Sequence, residues 1–154
     1  MKHWLMKSEP SAYSVDDLAA QPNKTDHWDG IRNYQARNFM RDDMKIGDLA
    51  FFYHSSCAEP GIVGIMEVVR AAYSDDSALD SKSDYFDPKA TAENTRWVMV
   101  DVRLKRKLKR PISLQELKSH KALTGMPLLQ RGARLSIMPV TKKQWDYIIK
   151  LSDR

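Results

Sequence analysis

Two apolar runs of strand length, Leu49-Ala50-Phe51-Phe52-Tyr53-His54 and Ile62-Val63-Gly64-Ile65-Met66-Glu67-Val68-Val69, are separated only by the turn-rich residues 55–61. Parallel neighbours need a crossover of about a dozen residues or more, so a loop this short makes the pair an antiparallel hairpin. Gly64 inside the second run marks a bulge or a close approach of another backbone or a ligand. Further strands are expected at residues 3–8, ended by Glu9-Pro10, at 96–104 and at 134–138. Helix signals lie among them. Ser14 precedes Asp16 and Asp17, which suit a helix N-terminus, and that helix is expected to end near Gln21-Pro22. The later part of residues 28–40 has helical spacing, Ser113 and Glu116 form a capping-box pattern before a helix over 113–120, and Thr141 with Gln144 caps a last helix. Trp145, Ile148 and Ile149 share one face of that helix. The tally is about five strands and three or four short helices with no strand-helix-strand repeat, which predicts an α+β fold, or a small barrel with helices packed outside. At 154 residues the expectation is one domain over 1–154.

Several function classes drop out on composition. With 42% apolar and 29% charged residues, six glycines and seven prolines, the chain is neither collagenous nor largely disordered. No apolar run approaches bilayer length, and Leu5-Met6 is too short for a signal-peptide core, so a soluble protein with no membrane partner, cytoplasmic in location, is expected. Cys57 is the lone cysteine, which excludes an intramolecular disulfide and a cysteine-rich zinc site. His3, His27, His54 and His120 have no helical ligand spacing, and Asp75, Asp76, Asp80, Asp84 and Asp87 lack the pattern of a calcium loop. No metal and no cofactor are expected, and the acidic stretch reads as a solvated loop. Phosphate-binding glycine loops are absent from the sequence.

Charge is distributed unevenly. Residues 1–102 carry 11 basic and 17 acidic side chains, a net of −6, whereas 103–154 carry 14 and 3, a net of +11. Arg103, Lys105, Arg106, Lys107, Lys109 and Arg110 put six cations in eight positions, which suits a phosphate backbone or a solvated loop about equally. Trp28 lies in polar surroundings beside Arg32, Asn33 and Arg37, where it is either a lid over the core or a surface on which a base stacks. His54-Ser55-Ser56-Cys57 brings a base, hydroxyls and a thiol together. A hydrolase reading of that tetrad is the lesser one, because adjacent side chains on a strand point opposite ways and no GxSxG elbow frames either serine.

Long motifs in fixed order then set the reading. Trp4-Leu5-Met6-Lys7-Ser8-Glu9-Pro10, Trp28-Asp29-Gly30-Ile31-Arg32-Asn33-Tyr34-Gln35-Ala36-Arg37-Asn38-Phe39, and Gly47-Asp48 with Phe52-Tyr53-His54-Ser55 closely resemble the EVE domain. So do Gly61-Ile62-Val63-Gly64, Tyr85-Phe86-Asp87-Pro88, Trp97 with Val100-Asp101-Val102, and Arg134-Leu135-Ser136 with Pro139-Val140. The resemblance implies a PUA-like fold, a small mixed β-barrel of about five to six strands with flanking short helices. It implies a module that is not an enzyme and that reads a modified nucleobase, notably modified cytosine in DNA, in an aromatic-walled pocket with Trp28 as the wall. The alternative it leaves is RNA binding. Carried over by motif, the pocket draws on Lys7, Ser8, Glu9, Trp28, Asn33, His54 and Ser55, with Trp97, Arg134 and Ser136 as further contributors. Arg32, Arg37, Arg103, Lys105, Arg106 and Lys107 are then the expected phosphate holders, and oligomeric state stays open.

Overall fold

The computed structural model describes residues 1–132 and 134–154. Its strands are β1 (His3–Ser8), β2 (Thr25–Trp28), β3 (Leu49–His54), β4 (Gly61–Ser74), β5 (Val98–Ser113) and β6 (Ile137–Val140). They form one six-stranded mixed sheet in the order β2-β5-β4-β3-β1-β6. β3 and β4 are the antiparallel hairpin demanded by the two apolar runs, and β1 lies parallel to β3, with His3 opposite Leu49 and Ser8 opposite His54. The α+β class agrees with the sequence, and the six strands are one more than the tally of about five and within the five to six that the resemblance implies. Among the described residues the edge strands β2 and β6 do not pair, so the sheet is not closed into a continuous barrel.

Both faces of the sheet are covered, which explains why its central strands are apolar at successive positions. Along β1, Trp4 and Met6 enter one core cluster and Leu5 the other; along β3, Ala50 and Phe52 oppose Phe51 and Tyr53 in the same way. Two short helices, α1 (Val15–Ala19) and α2 (Tyr34–Asn38), serve the first cluster through Val15, Leu18 and Ala36, and a π-helical turn over Phe39–Asp43 adds Met40. The second cluster takes Leu117 of α3 (Leu114–Lys118) and Trp145, Ile148 and Leu151 of α4 (Lys142–Ser152). Trp145 stacks on Phe51 with ring centroids 3.8 Å apart. Each such buried aromatic or aliphatic side chain contributes roughly 1.5–3 kcal/mol. The buried Asp48 carboxylate is fully engaged, accepting from the Trp4 indole at 3.0 Å and from the Lys2 and Lys45 amides at 3.0 and 2.9 Å.

Several local expectations change. β2 falls where three of four residues, Thr25, Asp26 and His27, are polar and only Trp28 is buried, because its pairing with β5 is made by backbone. β5 extends to Ser113 and takes in the whole basic stretch, with Leu104, Leu108 and Ile112 buried between exposed cations. Register shifts on both sides of Gly64 make it the expected bulge region, and a side chain there would press on Val15, 3.0 Å away. Ser14 and Thr141 complete capping boxes. Ser113 caps α3, but Glu116 turns away to Arg110 with oxygens at 2.7 and 2.8 Å, so that capping box is only half formed.

Candidate functional site

The end of β1 and the end of β2 face each other across a cleft of about 520 Å³, inside the roughly 300–1,000 Å³ range of small-molecule sites. Lys7, Ser8 and Glu9 come from β1 and its exit, Tyr13 from the turn before α1, residues 26–31 from β2 and the loop after it, and Tyr85 and Ser136 close the rim. The wall is rich in carboxylates. Asp26 accepts the Tyr13 hydroxyl at 2.6 Å, and His27 stands between Asp26, 3.1 Å away, and Asp29, 3.7 Å away. Burial, reinforced by the nearby Asp75, pushes the Asp29 carboxyl above the ordinary value, and burial pulls the Lys7 ammonium below its own. Burial and then the Asp26 hydrogen bond push the Tyr13 phenol up.

The acidic residues 75–88 hold one side of this cleft in place. Asp75, 1% exposed, accepts from the Gly30 amide at 2.9 Å, from Arg32 Nη1 at 3.1 Å, and from the Ser77 amide and hydroxyl. Burial pushes the Asp75 carboxyl up, but these donors together hold it below the ordinary value. Arg32 completes the clamp: its Nε donates to Tyr85 O and its Nη1 to Ile31 O, both at 2.9 Å, and its Nη2 donates to Ser77 Oγ at 3.2 Å. The Tyr85 ring then lies directly over Gly30, whose φ is +75°. A Cβ at that position would stand 2.6 Å from the ring, so glycine serves both the backbone turn and the close approach.

The structure gathers Lys7, Ser8, Glu9, Trp28 and Ser136 of the sequence-predicted set at the cleft. Trp28 is only 6% exposed and packs edge-on to Phe52 at 5.2 Å, so most of its ring belongs to the core and the open aromatic surface is Tyr85, at 38% exposure. Asn33, His54, Ser55, Trp97 and Arg134 do not line this cleft. Asn33 is the N-cap of α2, accepting from the Ala36 amide at 3.0 Å. His54 Nε2 accepts from the Val15 amide at 3.1 Å, satisfying a free donor at the start of α1. Ser55 is joined to β1 through its amide, which donates to Ser8 O at 3.0 Å. Trp97 is buried, donates to Asp87 at 2.7 Å and stacks on Tyr34 at 4.8 Å. Tyr13, Asp26, Asp29, Gly30 and Tyr85 escaped sequence reasoning as site residues. The signal for Asp29, Gly30 and Tyr85 was present in the Trp28-Asp29-Gly30 and Tyr85-Phe86 motifs, which showed membership but not orientation, whereas Tyr13 and Asp26 lie outside every motif.

The expected phosphate holders divide in the same way. Arg32 is spent on the clamp, and Arg37 donates to Asn38 Oδ1 and, at 3.0 Å, to Arg96 O while its guanidinium lies over the Tyr34 ring. Both are drawn inward because the segment at 75–97 folds back over them, a contact that no local pattern announces. On β5, Arg103 pairs with Glu67 at 2.8 Å and Lys107 with Asp16, while Lys105 and Arg106 are exposed. Among the described residues no group of three or more His, Cys, Asp or Glu side chains is placed to hold a metal ion, and no helix is long and apolar enough to cross a membrane.

The six-stranded mixed sheet with short helices on both faces is an α+β, PUA-like fold. The chain belongs to the EVE domain family, whose model matches residues 2–151. Human thymocyte nuclear protein 1 is 47% identical over 169 residues, an alignment covering 99% of this chain and 74% of that protein. The crystal structure of human THYN1 protein in complex with 5-methylcytosine-containing DNA is similar at a TM-score of 0.95 and 46% identity, covering 100% of this chain and 99% of that one. A crystal structure from Pseudomonas putida is similar at 0.93 and 50% identity, covering 97% and 99%.

Proposed function

We propose that this chain is a nucleic-acid-binding module, not a catalyst, that takes a modified cytosine of DNA into the cleft between β1 and β2. The observation that carries the reading is the likeness, over the whole of this chain, to a protein crystallised with 5-methylcytosine-containing DNA. The chemistry of the cleft supports it. Cytosine offers an amino donor at N4, which the carboxylates lining the cleft, Asp26 and Asp29, are suited to accept. Tyr85 supplies a stacking face, for which a base gains about 1–3 kcal/mol. One buried methyl adds only about 0.8 kcal/mol, so discrimination by the methyl alone is a few-fold. Extracting a base from a duplex costs a few kcal/mol, which favours single-stranded or weakened sites. A cytoplasmic location, where nucleic acid is within reach, fits this reading.

The test is equilibrium binding of single-stranded oligonucleotides with one central 5-methylcytosine, cytosine or thymine to the parent and to Tyr85→Ala. The reading expects 5-methylcytosine to bind best and thymine, which lacks the N4 donor, to bind worst, with Tyr85→Ala weakening the preferred oligonucleotide about tenfold. Equal affinities for all three oligonucleotides defeat it. Stronger binding to RNA than to every DNA returns the alternative.

The nucleophile reading of His54-Ser55-Ser56-Cys57 finds no support in the geometry. His54 Nε2 is occupied by a backbone donor, the Val15 amide at 3.1 Å.

A further inference from the structure

Beside the cleft, on the other side of Lys7, lies a second groove of about 630 Å³. Four cations line it, Lys7, Lys118, Arg131 and Arg134, and no acid does. Lys118, Arg131 and Arg134 are exposed, and among the described residues none of the four takes part in an ion pair. They come from three separate places, the end of β1, the end of α3 and the segment before β6, so the fold assembles the patch and no run in the sequence displays it. Basic residues elsewhere behave differently. On β5, Arg103, Lys107 and Arg110 are each matched by a carboxylate, which takes half of that stretch's charge out of play.

We infer that this groove, rather than the basic strand β5, carries the nucleic-acid backbone on either side of the base held in the cleft. The inference rests on the proposed function and adds the path of the strand. Four like charges sharing one groove without a counter-charge create a positive field that a polyanion relieves, and the two arginines offer planar forks suited to phosphate. Continuity with the cleft fixes which polyanion. Lys7 lines both cavities, and Ser136 on the cleft rim is two residues from Arg134 in the groove. A nucleotide seated at Tyr85 therefore sends its neighbouring phosphates toward Lys7 and on to Arg134, Arg131 and Lys118. Separation of signs supports the division of labour, since the carboxylate-lined cleft repels phosphates and accepts a base amino group.

The test compares the parent with Lys118→Ala/Arg131→Ala and with Lys105→Ala/Arg106→Ala, all of these side chains being exposed. Binding of a 5-methylcytosine oligonucleotide, its unmodified twin and 5-methyl-deoxycytidine monophosphate is measured over a series of salt concentrations, with melting temperatures confirming folding. The groove variant is expected to weaken both oligonucleotides several-fold and equally. Its slope of log affinity against log salt should become shallower by about 1.4, the value for two lost single-strand phosphate contacts. The mononucleotide, which has no flanking backbone, is expected to change least, and the β5 variant to keep the parental slope. An unchanged slope in the groove variant, an equal loss in the β5 variant, or a mononucleotide affected as much as the oligonucleotides overturns the inference. A parent that binds without preference for the modified base, but whose slope falls in the groove variant, overturns the base-reading function and leaves the groove standing. Absence of binding to every oligonucleotide overturns both.

Discussion

Residues 75–88 and 103–110 are charged stretches of opposite sign, one with five aspartates and the other with six cations. They have opposite fates. The acidic stretch, which reads as a loop in solvent, drives one carboxylate into the protein: Asp75 gathers Gly30, Arg32 and Ser77, and so fixes Tyr85 at the cleft. The basic stretch, which reads as the functional surface, is a strand whose alternate leucines feed the core while three of its cations meet acids on neighbouring elements. Charge density in a sequence measures how much surface a segment must keep wet. It does not tell which charges lack a partner after folding, and those are the ones free to bind.

The comparison breaks most readily at Asp75. Asp75→Ala leaves the Gly30 amide without its acceptor and the half-buried Arg32 guanidinium without its carboxylate partner, and removing one partner of a buried pair costs about 3–5 kcal/mol. Urea unfolding should register that loss, and a change below about 1 kcal/mol would mean that the clamp does not hold the segment.

Dependence on pH sharpens the contrast within the same pair of loops. The folded Asp75 carboxyl lies below its ordinary value, so its contribution is complete above the unfolded pKa of about 4 and disappears as pH falls through the folded value. The advantage of the parent over Asp75→Asn is therefore expected to hold steady at neutral pH and shrink in acid. Asp29 has the opposite sign, because its folded carboxyl keeps its proton to higher pH and its ionisation costs stability as pH rises past the ordinary value. Asp29→Asn should accordingly gain on the parent as pH rises from acid to neutral, a trend read from urea midpoints at several pH values.

The smallest effect belongs to the basic strand. The Arg103–Glu67 pair is largely solvent-facing on the arginine side, with side-chain exposures of 50% and 23%, and Arg103→Ala is expected to change stability by no more than about 0.5 kcal/mol. A loss comparable to that of Asp75→Ala would erase the distinction between the two stretches.

Backbone architecture was legible at most places where apolar alternation or a cap announced it, although the last strand, expected at 134–138, runs over Ile137–Val140. β1 and β3 occupy the residues expected, and Ser14, Ser113 and Thr141 cap the helices that follow them. β2 was not legible because Thr25, Asp26 and His27 are polar and an edge strand is held by backbone pairing with β5. The end of β5 was hidden because exposed cations obscure the buried Leu104, Leu108 and Ile112. At the site, motif order located the segments around Ser8, Trp28 and Tyr85. It could not show that Trp28 turns into the core, that Asn33 caps α2, or that Tyr85 lies on Gly30, since each depends on contacts between distant segments. The basic groove is the extreme case, as Lys7 and Arg134 meet only through the fold.

The central claim is that a modified cytosine is read in the cleft between β1 and β2, and it is tested most directly by amide chemical-shift mapping of the isotope-labelled protein titrated with a single-stranded 5-methylcytosine oligonucleotide. The account predicts the largest shifts at residues 7–9, at 26–31 and at Tyr85, with the unmodified oligonucleotide moving them less at equal concentration. Shifts confined to β5, or identical for the two oligonucleotides, would contradict it.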